Sequence, residues 1–186
     1  MGDRSLWYPK LRLFFNTFRQ ELRFTFWFLL ILAALNYGYY LLAGTAVESF
    51  ILTAMTADPS ALIINFLTPS EHVVVEGTQL TSRAVAFSVV SGCEGMGGIL
   101  LIISAVCAAN VPISAKLKGL LFGVSFIYLV NILRIVCLYY VIRHCFTVFN
   151  FAHYFVGQTV VIVLGCFFFV VWINRNLGKG EQNPTS

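Results

Sequence analysis

The sequence predicts an all-α integral membrane protein, a small bundle of four or more transmembrane helices with a short extracytoplasmic β-hairpin. Hydrophobic residues make up 59% of the 186 residues and charged residues only 11%, whereas ordinary soluble domains carry roughly 25% charge. Polar residues cannot cover so much apolar surface in so short a chain, so its solvent must be lipid. The formal charge of +4 comes from basic residues that lie between apolar runs, a pattern typical of membrane proteins and not of nucleic-acid binders.

The apolar runs place the predicted helices. The run 24–43 is long enough to cross the hydrocarbon core and too long for a typical signal-peptide core. The basic segment 1–23 mixes cationic and apolar residues, which predicts a short amphipathic helix on the cytoplasmic surface. Three further spans are predicted at 93–111, 119–142 and 153–173. The membrane-embedded domain therefore covers 24–175, and 176–186 form a polar tail.

The region between the first two predicted spans has a mixed composition. Residues 47–67 are moderately apolar but contain Asp58-Pro59, which favours a helix break. We expect two short interfacial helices there, with a broken span as the alternative. Valine and threonine on both sides of Glu76-Gly77-Thr78 predict a β-hairpin that leads into Cys93.

The basic residues predict the orientation in the membrane. The segments 1–23, 112–118 and 174–180 hold nine of the 12 Lys and Arg residues. The positive-inside rule places these segments in the cytoplasm and the loops 44–92 and 143–152 outside. The sequence therefore predicts a multi-pass protein of the cytoplasmic (inner) membrane.

Three polar residues converge in this topology. Cys93 and His153 begin the second and fourth predicted spans at their outer ends, and Arg134 lies inside the third span, roughly 12 Å from its outer end. A buried arginine costs a few kcal/mol in lipid, so it must face polar groups or a watery vestibule. Because helical side chains lean toward the amino-terminal end, Arg134 reaches Cys93 only through a vestibule or if a helix ends early. We interpret the three residues as a catalytic site at the outer surface.

Cys93 and the glycines around it also have a purely structural interpretation. A cysteine beside Gly92 and Gly95 can be a small packing residue in a close helix contact. The dipole at a helix amino terminus favours the thiolate, and the neighbouring Glu94 opposes it. The glycines would also leave backbone N–H groups free for an oxyanion.

The other polar residues have alternatives as well. Arg134 can be a structural counter-charge, for example to Glu94. Asn131 lies one turn before it on the same face, and we interpret Asn131 as a support for Arg134. His153 can be a solvated interfacial histidine, and His144 competes with it for the same role. The cysteines within apolar runs argue against a disulfide framework, and no metal-ligand spacing is present. We therefore predict neither a metal nor another cofactor.

Three short motifs resemble the exosortase/archaeosortase family of membrane cysteine transpeptidases. They are Gly92-Cys93-Glu94-Gly95, Asn131-Ile132-Leu133-Arg134-Ile135 and Ala152-His153-Tyr154. The resemblance covers about residues 60–173, and the short length and the segment through Gln158 are similar to the exosortase H type. Glu94 departs from the pattern, because the family more often has Ser or Asn there.

The resemblance implies a function and a role for each residue. Cys93 would be the nucleophile that forms a thioester acyl-enzyme, His153 would activate the thiol or protonate the leaving amine, and Arg134 would stabilise the oxyanion or orient the substrate. The partners would be exported proteins whose carboxy-terminal sorting signal combines a short motif, a transmembrane helix and a basic cluster. Such signals are cleaved at the outer face of the bilayer, and the new carboxyl end can pass to an acceptor of unknown kind.

The competing hypothesis is a non-enzymatic membrane protein, such as a small transporter subunit or a scaffold, in which Arg134 is a structural or binding charge. A transporter would place polar residues near the midplane of several helices, often in repeated halves. The sequence contains no internal repeat, and its polar residues lie toward the outer helix ends. These observations favour the enzyme.

Overall fold

The computed structural model describes residues 7–151, 153 and 157–180. Seven α-helices and three short strands follow one another in these residues. The helices are α1 (Trp7–Tyr40), α2 (Ala46–Leu52), α3 (Asp58–Leu67), α4 (Met96–Ala108), α5 (Ile113–His144), α6 (Phe149–Phe151) and α7 (Gly157–Gly180), and the strands are β1 (Val74–Glu76), β2 (Gln79–Thr81) and β3 (Ala86–Ser88). The predicted fold class, a helical membrane bundle with a small β element, is confirmed.

Within the part of the chain that the structure describes, four helical segments are long and apolar enough to cross a membrane. They are Phe18–Tyr40, Ala46–Leu67, Ile113–His144 and Thr159–Asn176. The predicted second span corresponds to α4, whose 13 residues extend about 20 Å and so fall short of a hydrocarbon core of about 30 Å. α5, with 32 residues, is about 48 Å long and exceeds that core.

No helix boundary falls between residues 23 and 24, and the division there into a surface segment 1–23 and a membrane-embedded part stays a prediction. α1 is one continuous helix of 34 residues, because no glycine or proline lies between Lys10 and Tyr37 to interrupt it. Residues 1–6 of the predicted amphipathic segment lie outside the described residues. At the other end of the chain, α7 continues to Gly180, so 176–180 of the predicted polar tail are helical and 181–186 are not described.

The predicted helix break at Asp58-Pro59 is wrong. The helical path from Ala46 to Leu67 is continuous, and a π-helical turn at Thr53–Ala57 joins α2 to α3. Proline lacks an N–H and its ring clashes with the preceding turn of an α-helix. Here it falls in the first turn of α3, directly after the wider π turn, where both problems are small.

The predicted hairpin is part of a three-stranded antiparallel sheet in the order β1-β2-β3. The first turn is the predicted one, with Glu76 opposite Gln79 and Gly77 at φ +62° in the first central position, which suits a type II′ hairpin. Strand β3, which the sequence prediction did not separate, pairs Leu80 with Phe87. The sheet packs on α5, where the ring of Phe87 lies 6.4 Å from that of Tyr139.

The bundle has two different ends. At the basic end, which carries Arg23 and Lys116, α1 and α4 border a cavity of about 520 Å³. At the sheet end, the Tyr139 hydroxyl donates to the buried Glu71 carboxylate at 2.6 Å, and Arg143 forms an ion pair with the same carboxylate. Because α4 is short, its amino terminus lies partway along α5, not at the outer end of α5. This position decides the depth of Cys93.

Candidate active site

The structure brings Cys93, His153 and Arg134 together. The Sγ atom of Cys93 lies 3.5 Å from Nε2 of His153. Arg134 donates from one terminal nitrogen to the backbone oxygen of His153 at 3.5 Å and from the other to Oδ1 of Asn131 at 3.4 Å. Arg134 does not lie near an early end of its own helix, since α5 continues to His144. It meets Cys93 because the turn before α4 lies beside Asn131, one helical turn before Arg134 on α5.

A tight turn presents Cys93 in front of α4. The Cys93 N–H donates to the carbonyl of Val90 at 2.9 Å, and Gly92 has a φ of +95°. Gly95, at φ +80°, is the residue before the first turn of α4, where no side chain caps the helix. Among the described residues, no side chain accepts from the first N–H groups of α4, and the positive end of the helix dipole lies two residues after Cys93.

Asn131 joins Cys93 to Arg134. Its side chain is 1% exposed and donates from Nδ2 to the backbone oxygen of Cys93 at 3.0 Å, while its Oδ1 accepts from Arg134. A Cβ atom at Gly95 would lie 2.6 Å from Cγ of Asn131, so this contact requires glycine at that position. The sequence predicted Asn131 as a support for Arg134, and in the structure it also holds the Cys93 backbone.

The imidazole of His153 lies between an aromatic ring and the thiol. The ring of Phe149 stacks on it with centroids 5.4 Å apart and an interplanar angle of 24°. The sequence prediction did not include Phe149, although an aromatic residue one helical turn before a histidine is a signal for such stacking. His144, the competing histidine, is exposed at the end of α5.

Burial sets the protonation states of the thiol and the imidazole. Burial raises the pKa of the Cys93 thiol, and Glu94 adds to the rise, while the positive charge of Arg134 and the hydrogen bond with Val90 oppose it. Burial and then the Arg134 charge lower the pKa of His153. At neutral pH the resting pair is therefore a neutral thiol beside a neutral imidazole, and not a thiolate–imidazolium pair.

Glu94 does not pair with Arg134 in the described part of the chain. Its carboxylate is 4% exposed and accepts a hydrogen bond from the Tyr39 hydroxyl at 2.8 Å, while Oε2 has no partner among the described residues. The end of α1 is thereby attached to the residue that follows Cys93. The sequence did not reveal this contact because 55 residues separate the two side chains.

A small cavity of about 230 Å³ surrounds the thiol and the imidazole. Its walls come from β3 and the turn after it, from α5 and from the segment of α6. They are lined by Phe87, Ser88, Val89, Val90, Cys93, Ile135, Leu138, Phe149 and His153.

The site contains no features of metal or disulfide chemistry in the residues that the structure describes. All five cysteines are free thiols. No group of three His, Cys, Asp or Glu side chains is placed to hold a metal ion within the described ranges. The described residues bring a thiol, an imidazole and a guanidinium together at the site.

A protein-family comparison gives the context of this site. The family model described as transmembrane exosortase matches residues 11–172. This chain belongs to the exosortase family. No curated protein and no solved structure matches it significantly. Family membership and the four apolar helices make it a multi-pass membrane protein related to the transpeptidases of protein sorting, while the exosortase H subtype stays a prediction.

Proposed function

We propose that this exosortase is a membrane cysteine transpeptidase or peptidase that cleaves the carboxy-terminal sorting signal of exported proteins through a thioester on Cys93. The observation that carries the proposal is the convergence of three elements at one cavity. Cys93 lies in the turn before α4, Arg134 lies on α5, and His153 lies between α6 and α7. A scaffold or a transporter has no need for a thiol within 3.5 Å of an imidazole nitrogen.

In the first half of the reaction, the sulfur of Cys93 attacks the scissile carbonyl carbon while Nε2 of His153 removes the thiol proton. The electron pair of the carbonyl moves to its oxygen, and the Arg134 guanidinium and the first N–H groups of α4 stabilise this oxyanion. When the tetrahedral intermediate collapses, the C–N bond breaks. His153 returns the proton to the leaving amine, and the apolar tail departs.

In the second half, an acceptor amine or hydroxyl, or water, attacks the thioester carbon. His153 takes the proton of the attacking group, the C–S bond breaks, and the proton passes to the departing sulfur. The thiol and the neutral imidazole are then restored. Because the resting pair is neutral, His153 acts as a general base in each attack.

The central experiment is co-expression with a reporter protein that ends in a short motif, an apolar helix and a basic cluster. We expect processing in the wild type and none in Cys93→Ala, which lacks the nucleophile, or in His153→Ala, which lacks the general base. Cys107→Ala, which changes a cysteine at the basic end, should process normally. Hydroxylamine should release the trapped acyl group from the wild type as a hydroxamate. Continued processing by Cys93→Ala would refute the assignment of the nucleophile.

We further propose that the sheet end, and with it the site, faces outward from the cytoplasmic membrane. Charge counting supports this orientation, since Arg23 and Lys116 lie together at the opposite end. A membrane-impermeant thiol reagent added from outside should label the exposed Cys145 readily and the 5% exposed Cys93 slowly. It should leave Cys107 unmodified until the membrane is permeabilised. Labelling of Cys107 alone would reverse the orientation.

A further inference from the structure

An apolar groove of about 380 Å³ runs along the outside of the bundle between α5 and α7. Among its lining residues are Val130, Leu133, Cys137 and Val141 on α5 and Val160 and Leu164 on α7. Leu133 is 56% exposed and Val160 is 45% exposed. Both walls therefore present exposed apolar side chains.

The groove adjoins the catalytic cavity. Leu138 lines both of them, and Arg134, which contacts the backbone oxygen of His153, lies in the wall of the groove. A chain that leaves the cavity past Leu138 therefore enters the groove directly. From Val130 to Val141 the groove follows α5 for about 16 Å, or three turns of a helix that lies beside it.

We propose that this groove binds the transmembrane helix of the sorting tail and so delivers the scissile bond to Cys93. The inference rests on the proposed function and adds to it the surface that recognises the substrate. An apolar helix loses little by moving from lipid into such a groove, and it gains close packing against branched side chains on both walls. The extended residues before the helix then cross Leu138 into the cavity.

Arg134 favours a peptide over a lipid tail as the occupant. Its Nε atom is buried and has no hydrogen-bond partner among the described residues. A peptide carbonyl that passes Arg134 on its way into the cavity would accept that N–H. An acyl chain at the same depth offers no acceptor, and the unpaired donor would remain a cost.

The first test is a matched pair of substitutions on α7. Val160 lines the groove, and Ile162 lies on a different face of the same helix, with the same exposure of 45%. We expect Val160→Trp to lower the kcat/KM for the tailed reporter by roughly tenfold or more through a higher KM, because the indole occupies the groove. Ile162→Trp should stay within about twofold of the wild type, a change of the size seen for surface substitutions.

The alkylation rate of Cys93 by a small permeant thiol reagent serves as the control for structural damage. It should be equal in both variants and in the wild type. Equal kinetic effects of Val160→Trp and Ile162→Trp, with unchanged Cys93 alkylation, would overturn the assignment of the groove.

The second test uses native cysteines as probes. Cys137 lines the groove, whereas Cys166 is exposed elsewhere on α7. Two variants of the protein carry Cys93→Ala, which prevents cleavage, and retain either Cys137 or Cys166 as their one cysteine. Each is combined with reporters that carry one cysteine at successive positions of the reporter helix. Oxidation should crosslink Cys137 to reporter positions that repeat every three to four residues, since one helical face lies in the groove. Cys166 should give no such pattern.

The outcomes separate this inference from the proposed function. If the wild type cleaves the reporter but Cys137 forms no crosslink, the groove is not the docking site and the peptidase stands. If Cys137 crosslinks with helical periodicity but the wild type does not cleave the reporter, the groove is the docking site and the proposed peptidase activity is wrong. A photoreactive lipid that labels the groove next to Cys137 and that the reporter cannot displace would show an acyl chain as the occupant and overturn the inference.

Discussion

Replacing Gly95 by alanine is expected to displace Asn131 and the Cys93 backbone that Asn131 holds. The added Cβ would lie 2.6 Å from Cγ of Asn131, roughly 0.8 Å short of the 3.4 Å at which ordinary contact begins. It would also occupy a φ of +80°, a left-handed conformation that costs a residue with a side chain about 1–2 kcal/mol. The hydrogen bond from Asn131 to the Cys93 carbonyl contributes about 1 kcal/mol more.

The expected result for Gly95→Ala is therefore a loss of about 2–3 kcal/mol of unfolding free energy. A thiol displaced by nearly 1 Å should also lower kcat/KM by about 10²-fold. The assays are the cleavage rate of the tailed reporter and the melting temperature in detergent. Because both residues of the contact lie on helix-forming segments, neither can relax far without moving its helix.

Gly92 and Gly97 provide the matched controls. Gly92 has a φ of +95°, but its added Cβ would meet nothing within 4 Å. Gly92→Ala should therefore lose only the strain of about 1–2 kcal/mol. Gly97 has neither a positive φ nor a neighbour within 4 Å, so Gly97→Ala should be neutral or slightly stabilising. If Gly95→Ala cleaves the reporter as fast as Gly92→Ala does, contact with Asn131 does not position the thiol.

Two further predictions follow from the contacts around the site. Burial and the Arg134 charge hold the pKa of His153 below its usual value of about 6.5. The kcat/KM should therefore be flat at neutral pH and fall only at a pH below about 6.5, where the imidazole becomes protonated. Arg134→Gln removes the positive charge and should move this acidic fall in kcat/KM to higher pH. Alkylation of Cys93 should also require a more alkaline pH in this variant. A shift of either pH profile to lower pH would contradict the electrostatic argument. Tyr39→Phe leaves the buried Glu94 carboxylate without its donor and should lower the unfolding free energy by about 1–3 kcal/mol. Tyr40→Phe, at a residue that is 72% exposed, should change nothing, and equal melting temperatures of the two variants would show that the hydrogen bond to Glu94 contributes no stability.

Local sequence patterns predicted the elements whose cause is local. Hydropathy placed three of the spans because each run of apolar residues must by itself cover a helix in lipid. The turn at Gly77 was predicted because glycine readily adopts the positive φ that such a turn requires, and Gly77 has a φ of +62°. The break at Asp58-Pro59 was predicted wrongly, because a π turn just before the proline accommodates it without interrupting the helix.

The residues named for the candidate site were found from their types and motifs, but their arrangement was not. The sequence indicated Cys93, Arg134 and His153, and the structure brings these three together with Asn131. Phe149 was not predicted, although its position four residues before His153 is a local signal for the observed stacking. The assignment of these residues to catalysis remains a proposal that the cleavage experiments test.

The sequence by itself determined that lipid is the solvent of this chain and where three of its long apolar helices lie, because those properties depend on composition and on neighbouring residues. Only the tertiary structure decided the depth of the thiol. That depth depends on the packing of α4, which is about 20 Å long, against α5, which is about 48 Å long and extends past the amino terminus of α4. The tertiary structure also decided that Asn131 binds the backbone of a residue 38 positions away and that Leu138 separates a cavity from a groove. Contacts between distant segments arise from packing, and packing is not encoded in any single stretch of the chain.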